Sequence, residues 1–249
     1  MLALTPSPAQ QFLRTLGSEL PKPKSAVVIS AHFTTREPAV VSDPQPEMIY
    51  DFGGFPAELY EVTYPAPGGP ERAEEVARLV TAAGMPGTAI AQRGFDHGTW
   101  VPLSLIWPDA DVPIVQLSMQ PHKDAAHHLA LGRAIASLRE RDILVIGTGA
   151  MTHNLRELMG GGMKPIDAPP EDWAVAFADW IADRAAAGAV EDLVRYRDRA
   201  PSAARAHPSD DHFLPFFVAL GAAGEGAKGE RIHASIEYGA LAMDAYRFG

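Results

Sequence analysis

The sequence predicts an α/β fold in which residues 1–249 form one domain, with a mostly parallel central sheet and helices on both faces. Three observations support this. Short apolar runs, Ala26-Val-Val-Ile-Ser30, Pro113-Ile-Val-Gln-Leu-Ser118 and Ile143-Leu-Val-Ile-Gly147, have the unbroken hydrophobicity of strands covered on both sides. Helical segments alternate with them. The chain is also long enough, at 249 residues with 47% hydrophobic, to bury one large core.

Taken in order, a first helix is expected over residues 7–20, ended by Pro21-Lys-Pro-Lys24, and the strand 26–30 follows with His32 just past its end. Residues 43–70, rich in Pro, Gly and aromatics and including Asp51-Phe-Gly-Gly-Phe-Pro56, show neither period and read as a long ordered loop. A helix with Pro in its first turn is expected over 70–83, with Val76, Leu79 and Val80 on one face, then a strand over 88–91. Gly94-Phe-Asp-His-Gly-Thr-Trp100 leads into a short apolar segment ending at Pro108. Residues 123–141 read as one helix with Leu129, Ile135 and Leu138 in its buried stripe, and at least one of His127 and His128 exposed. After the strand 143–147, Thr148-Gly-Ala-Met-Thr-His153 turns away, and a Gly/Pro stretch, 160–170, separates it from Ala-rich helices over 171–187 and 190–199. His212-Phe-Leu-Pro-Phe-Phe217 begins another helix, and 232–248 read as terminal strands.

Composition excludes several classes of function. With 21 basic against 31 acidic residues the formal charge is −10, and no basic run could track phosphates, so a nucleic-acid partner is not expected. Without cysteine there are no disulfides, thiolate ligands or Cys nucleophiles, and any metal must be held by imidazole, carboxylate or water. No apolar run approaches the roughly 20 residues of a membrane span, and the start lacks the order of a signal peptide; a membrane partner is not expected, and the cytoplasm is the default location.

Chemistry-bearing candidates are concentrated among the nine histidines. His32, His97, His153 and His212 sit in loops or at helix starts, where ligating groups are displayed, whereas His122, His127, His128, His207 and His233 look ordinary. In an open parallel sheet ligands bind beyond the carboxyl ends of strands, where His32 and His153 fall. Neutral imidazoles suit Fe(II) and Zn(II), but no H-E-x-x-H pair occurs, so the four could meet only through the fold. Gly147-Thr-Gly-Ala-Met-Thr152 follows a strand like a dinucleotide-binding turn, yet lacks the third glycine, and Asp167 lies in a loop instead of at a strand end. No G-x-S-x-G elbow is present for a serine hydrolase.

Ser30-Ala-His-Phe33, Tyr50-Asp-Phe-Gly-Gly-Phe-Pro56, Tyr64-Pro-Ala-Pro-Gly68, Gly94-Phe-Asp-His-Gly98, Val115-Gln-Leu-Ser118, Thr152-His-Asn-Leu155, His212-Phe-Leu-Pro215 and Glu237-Tyr-Gly-Ala-Leu-Ala-Met243 occur in that order along nearly the whole chain. Together they resemble the signature blocks of the class III extradiol ring-cleavage dioxygenases, the LigB superfamily, in its 4,5-DOPA dioxygenase-like branch. The resemblance implies a non-haem Fe(II) site, with Zn(II) possible in its place, that cleaves a small catechol with O₂. It implies His32 and His212 as metal ligands, His153 as a further ligand or the acid/base, and His97 as a catalytic histidine near substrate or oxygen. Asp51 and Tyr238 are expected to shape the substrate pocket, and a homodimer is a possible assembly. Two other readings stay open: a non-catalytic metal-binding or scaffold protein of this fold, and a zinc-dependent hydrolase using the same histidines.

The family pattern also places a strand ending in His-Gly-Ser-Pro, whose histidine is a ligand, just before a segment like Met1-Leu-Ala-Leu-Thr-Pro6. The sequence starts after that place. The expectation is a start assigned too far downstream, testable by translating the in-frame DNA upstream; a genuinely short form should retain iron poorly and turn over little.

Overall fold

The computed structural model describes residues 2–160 and 162–249; Met1, the opening residue of the segment just discussed, and Gly161, inside the Gly/Pro stretch, lie outside the described residues. Helix α1 (Pro8–Glu19) starts where Ser7 Oγ accepts the amide hydrogen of Gln10 at 3.1 Å and Pro8 occupies the first turn. Then come β1 (Ser25–Thr34), β2 (Ala39–Val41), α2 (Pro70–Ala82), β3 (Thr88–Ile90), α3 (His97–Ile106), β4 (Ile114–Met119), α4 (Ala125–Ala134) and β5 (Ile143–Thr148). The remainder supplies α5 (Leu155–Met159), α6 (Asp172–Ala186), α7 (Val190–Val194), α8 (Tyr196–Arg199), α9 (Ala203–Ala206), α10 (Leu214–Ala222), β6 (Gly229–His233), β7 (Ile236–Glu237), β8 (Leu241–Ala242) and β9 (Ala245–Phe248). Among the described residues no helix is long and apolar enough to cross a membrane.

The central sheet has the order β3-β2-β4-β1-β5, and every pairing is parallel except one antiparallel contact between β2 and β4, Val40 opposite Leu117. Among the described residues the terminal strands pair with each other, β6 with β9 and β7 with β8. Alternation along β1 divides the core in two. Val27 and Ile29 face Val76 and Val80 of α2, Leu131 of α4, Phe177 of α6 and Phe217 of α10. Ala26 and Val28 face Leu13 of α1 and Trp100 and Leu103 of α3. Helices therefore cover both faces, as the apolar runs require.

Several local expectations are corrected. His32 lies within β1, not beyond it: the strand continues to Thr34, although its ladder with β5 ends at Ser30 opposite Thr148. Pairing with β4 jumps from Ile29–Leu117 to Thr34–Met119, so the intervening residues depart from the regular register. Strand β2 was not foreseen because three apolar residues are too few to show a period. The helix expected over 123–141 ends at Ala134; Ile135 donates to Gly132 O at 3.1 Å, and the chain tightens into a 3-10 turn, Ala136–Arg141, that keeps Ile135 and Leu138 fully buried. The helix expected over 190–199 likewise breaks at Arg195.

Neither His127 nor His128 is exposed. His127 is half-buried, and His128 is buried beneath the end of β4, where Nδ1 donates to Asp124 O at 2.8 Å and Nε2 accepts the amide hydrogen of Gln120 at 3.2 Å. His207 is buried too, with Nε2 donating to Met151 O at 2.8 Å.

Helices α4 and α10 cross backbone to backbone. A Cβ on Gly221 would stand 2.2 Å from Leu129 O, and one on Gly132 would stand 2.1 Å from Val218 O. Elsewhere in a helix Gly→Ala stabilises by about 1 kcal/mol. Here the sign should reverse: Gly221→Ala is expected to cost about 1–3 kcal/mol by urea denaturation, and a variant as stable as the parent would contradict the crossing.

Burial lowers the pKa of His128 to about 4 and that of His207 to about 3. Both stay neutral in the fold, whereas in the unfolded chain they bind protons below about 6.5. The stability they contribute is therefore complete above that pH and lost as pH falls from there toward 4 and 3. The urea midpoint is expected to be flat above about pH 7 and to fall steeply toward pH 5, less so in His128→Gln; equal midpoints at both pH values would contradict this.

Candidate metal centre

The carboxyl ends of the parallel strands converge on one edge of the sheet, and the four displayed histidines meet there. His32 is set by the irregular end of β1. Ser30 Oγ accepts the backbone N–H of His32 at 3.1 Å and donates to Asp96 Oδ1 at 2.6 Å. Asp96 is fully buried, and its second oxygen is met by Arg93 at 3.2 Å and by the Gln116 side-chain amide from β4. An unpaired buried carboxylate would be very costly, so this bonding fixes its neighbours as firmly as itself. His97 follows as the first residue of α3. The next position must be small: a Cβ on Gly98 would lie 2.3 Å from Ser30 Oγ and 3.1 Å from His32 Cδ2.

His153 and His212 are set by the opposite side of the sheet. Thr152 Oγ1 donates to Ala240 O and accepts the Ala242 N–H, both at 2.7 Å, while His153 N–H bonds Ala206 O at 2.9 Å. Ala150 N–H reaches His212 O at 3.0 Å. The glycines that resembled a dinucleotide turn serve this contact. A Cβ on Gly147 would stand 2.3 Å from Pro215 O, and one on Gly149 would stand 2.1 Å from His212 O. The segment from His212 to Pro215 therefore packs directly on these glycines.

The rings of His153 and His212 stack at 3.5 Å between centroids with 6° between planes. His32 meets His212 edge-on at 5.0 Å and lies tilted against His97 at 4.0 Å, so the four imidazoles form one continuous group. Two carboxylates back it. Asp51 Oδ1 accepts from His97 Nδ1 at 2.8 Å, and Asp211 Oδ2 accepts from His212 Nδ1 at 2.8 Å. An ionised carboxylate can only accept, so each Nδ1 carries a hydrogen and each Nε2 is left with a lone pair. The hydrogen bond from His212 is the main influence holding the Asp211 carboxyl below its usual range. At Asp51 burial pushes upward, but the side-chain and backbone hydrogens of His97 outweigh it and bring the carboxyl to about 2.

Burial, reinforced by His97 and His212, lowers His32 to about 4; burial, reinforced by His212, lowers His153 to about 4. Both are unprotonated at neutral pH, the form that ligates metal. A half-buried group of four imidazoles, two of them oriented by carboxylates, fits a divalent cation of the iron or zinc kind. Among the described residues the one group of three or more whose possible donor atoms all lie within 4.8 Å of one another is His32, Asp51 and His97.

Of the residues expected from the sequence, His32, His97, His153 and His212 are brought together, and Asp51 joins them through His97 and by a 3.7 Å approach of its Oδ2 to His32 Nδ1. Tyr238 sits on the β7–β8 turn with a left-handed backbone, φ 54°, and donates its N–H to Ile166 O. Among the described residues no hydrogen bond or ring contact joins its side chain to the four imidazoles. Sequence reasoning missed Asp211, whose only local signal is its place directly before His212, and it missed Ser30 and Gly98, which lay inside quoted blocks but showed no chemistry of their own; Asp96, weighed with His97 as either an ordinary loop pair or a functional one, is the buried carboxylate bonded to Ser30.

Known proteins resemble this chain over almost its whole length. The family model described as the catalytic LigB subunit of aromatic ring-opening dioxygenase matches residues 8–249. A Beta vulgaris protein named 4,5-DOPA dioxygenase extradiol is 40% identical over 100% of this chain and 92% of its own length. An Escherichia coli (strain K12) protein of the same name is 39% identical over 94% of this chain and 85% of its own. The crystal structure of the uncharacterized protein JW3007 from Escherichia coli K12 superposes with a TM-score of 0.79 at 34% identity, covering 95% of this chain and 91% of that one. With the histidine group at the strand ends and a family match over almost its full length, the chain belongs to the LigB family of aromatic ring-opening dioxygenases, the class III extradiol ring-cleavage enzymes.

Proposed function

We propose that the protein is a non-haem Fe(II)-dependent extradiol dioxygenase that opens a small catechol of the DOPA type with O₂, acting in the cytoplasm. The observation that carries this is the meeting of four imidazoles from distant parts of the chain, with His32 and His153 held neutral. Relatives of 36–41% identity named 4,5-DOPA dioxygenase extradiol support the substrate class. In this reading His32, His153 and His212 hold the metal, with Zn(II) able to replace iron. Iron, when bound, supplies Lewis acidity toward the catechol oxygens and the electron transfer that O₂ activation requires.

The chain's own residues do the rest. His97, held at Nδ1 by Asp51, is placed to accept a hydroxyl proton as the catechol settles, and His153 takes that role in the alternative in which it is not a ligand. Asp211 holds the His212 ring by its Nδ1. Phe52, whose ring stands edge-on to His97 at 5.4 Å, gives the pocket an apolar wall against which an aromatic ring can lie, and Tyr238 is proposed to shape its far side. Orientation and exclusion of water are the protein's main contribution to rate.

The test is anaerobic loading with Fe(II), then oxygen-electrode measurement with a panel of catechols. Oxygen uptake matched by a yellow ring-opened product is expected. His212→Ala should weaken iron binding by more than the roughly 10–100-fold cost of losing a hydrogen-bond partner behind a ligand. A fully iron-loaded protein that consumes no oxygen with any catechol would favour a metal-binding scaffold, and oxygen-independent hydrolysis of an ester or amide would favour a zinc hydrolase.

A further inference from the structure

Asp51 lies in the long connection between β2 and α2, 46 residues before His97, and belongs to no helix or strand. His97 is what holds it. The single oxygen Oδ1 accepts both the backbone N–H of His97, at 3.0 Å, and its ring Nδ1, at 2.8 Å. The side chain thereby caps the start of α3, a task that the residue in the capping position, Asp96, leaves undone because its carboxylate is spent on Ser30 and Gln116. Oδ2 stands 3.7 Å from His32 Nδ1, too far for a hydrogen bond.

Two roles compete for this carboxylate. Because His32, Asp51 and His97 gather one donor atom each within 4.8 Å, Asp51 could be a ligand in a set of two imidazoles and one carboxylate. Its bonding argues otherwise. Oδ1 already receives two hydrogens, and as a ligand to the same ion as Nδ1 it would forfeit the ring hydrogen and compete with the α3 cap. The 2.8 Å separation is that of an N–H···O bond with its proton in place.

We propose that Asp51 is a positioning residue: it locks His97 in the tautomer protonated on Nδ1, leaving the Nε2 lone pair as the end that receives a proton from the aromatic substrate. The dioxygenase reading supplies the identity of that proton donor; the tautomer does not depend on it. The loop over 43–70 is thereby tied to the chemistry, since one carboxylate fixes both where α3 begins and which nitrogen of its first residue is basic.

The test uses the zinc-loaded, diamagnetic protein with ¹⁵N-labelled histidine. Long-range ¹H–¹⁵N correlation reads each ring's tautomer, His97 being assigned by its loss in His97→Gln. The parent should show His97 protonated on Nδ1. Asp51→Asn should keep that form, because the oxygen that must meet the backbone N–H remains beside Nδ1. Asp51→Ala should move His97 to Nε2–H or to a mixture, retain zinc, and in the iron form lower kcat roughly 10–100-fold with KM little changed. A parent already protonated on Nε2, or an Asp51→Ala variant with an unchanged tautomer, overturns the proposal. So does loss of zinc from both variants, which would make Asp51 a ligand. If the tautomers behave as expected but no form consumes oxygen, the positioning role stands and the dioxygenase reading fails.

Discussion

Imidazole rings can share one pocket only if they are not all charged, and the rest of the site follows from that constraint. With His153 and His212 stacked at 3.5 Å and His32 edge-on to the second of them, protonation of any ring would place a cation against its neighbours in a half-buried space. Burial and mutual repulsion keep His32 and His153 neutral, and neutrality is what lets the group act as metal donors or proton acceptors. Asp51 and Asp211 back the group, each taking an Nδ1 hydrogen.

The fold meets the constraint by bringing backbone unusually close to backbone. Gly98 lets His32 lie against the start of α3, Gly147 and Gly149 let α10 press on the end of β5, and Gly132 meets Gly221 where α4 and α10 cross. Each of these positions has a backbone or side-chain oxygen where a Cβ would stand. Behind His32 the buried Asp96 ties β1, β4 and α3 together through Ser30 and Gln116, so the irregular end of β1 is pinned. The same packing that stabilises the core thus sets the rings.

Much of this was legible in the sequence, and what was not had a physical reason. The apolar runs at 26–30, 113–118 and 143–147 announced a parallel sheet because burial on both faces leaves a continuous signal. His32, His97, His153 and His212 stood out by position, and the family resemblance gave them roles. Contacts between distant residues leave no local period. Nothing near Asp51 indicates that its partner lies 46 residues on, and nothing near Gly147 says that Pro215 will fill the space above it, so that glycine pair could be weighed as a nucleotide turn. The missed strand β2 and the break at Ile135 belong to the same class: tertiary packing decided them, in segments too short or too evenly apolar to record it.

The account's central claim is that these histidines hold one ion between them. Anomalous diffraction from crystals of the iron- or zinc-loaded protein, collected above and below the metal edge, reads its position directly. A single anomalous peak among the rings of His32, His153 and His212 is the predicted result; a peak elsewhere, or none at full metal occupancy in solution, would contradict it.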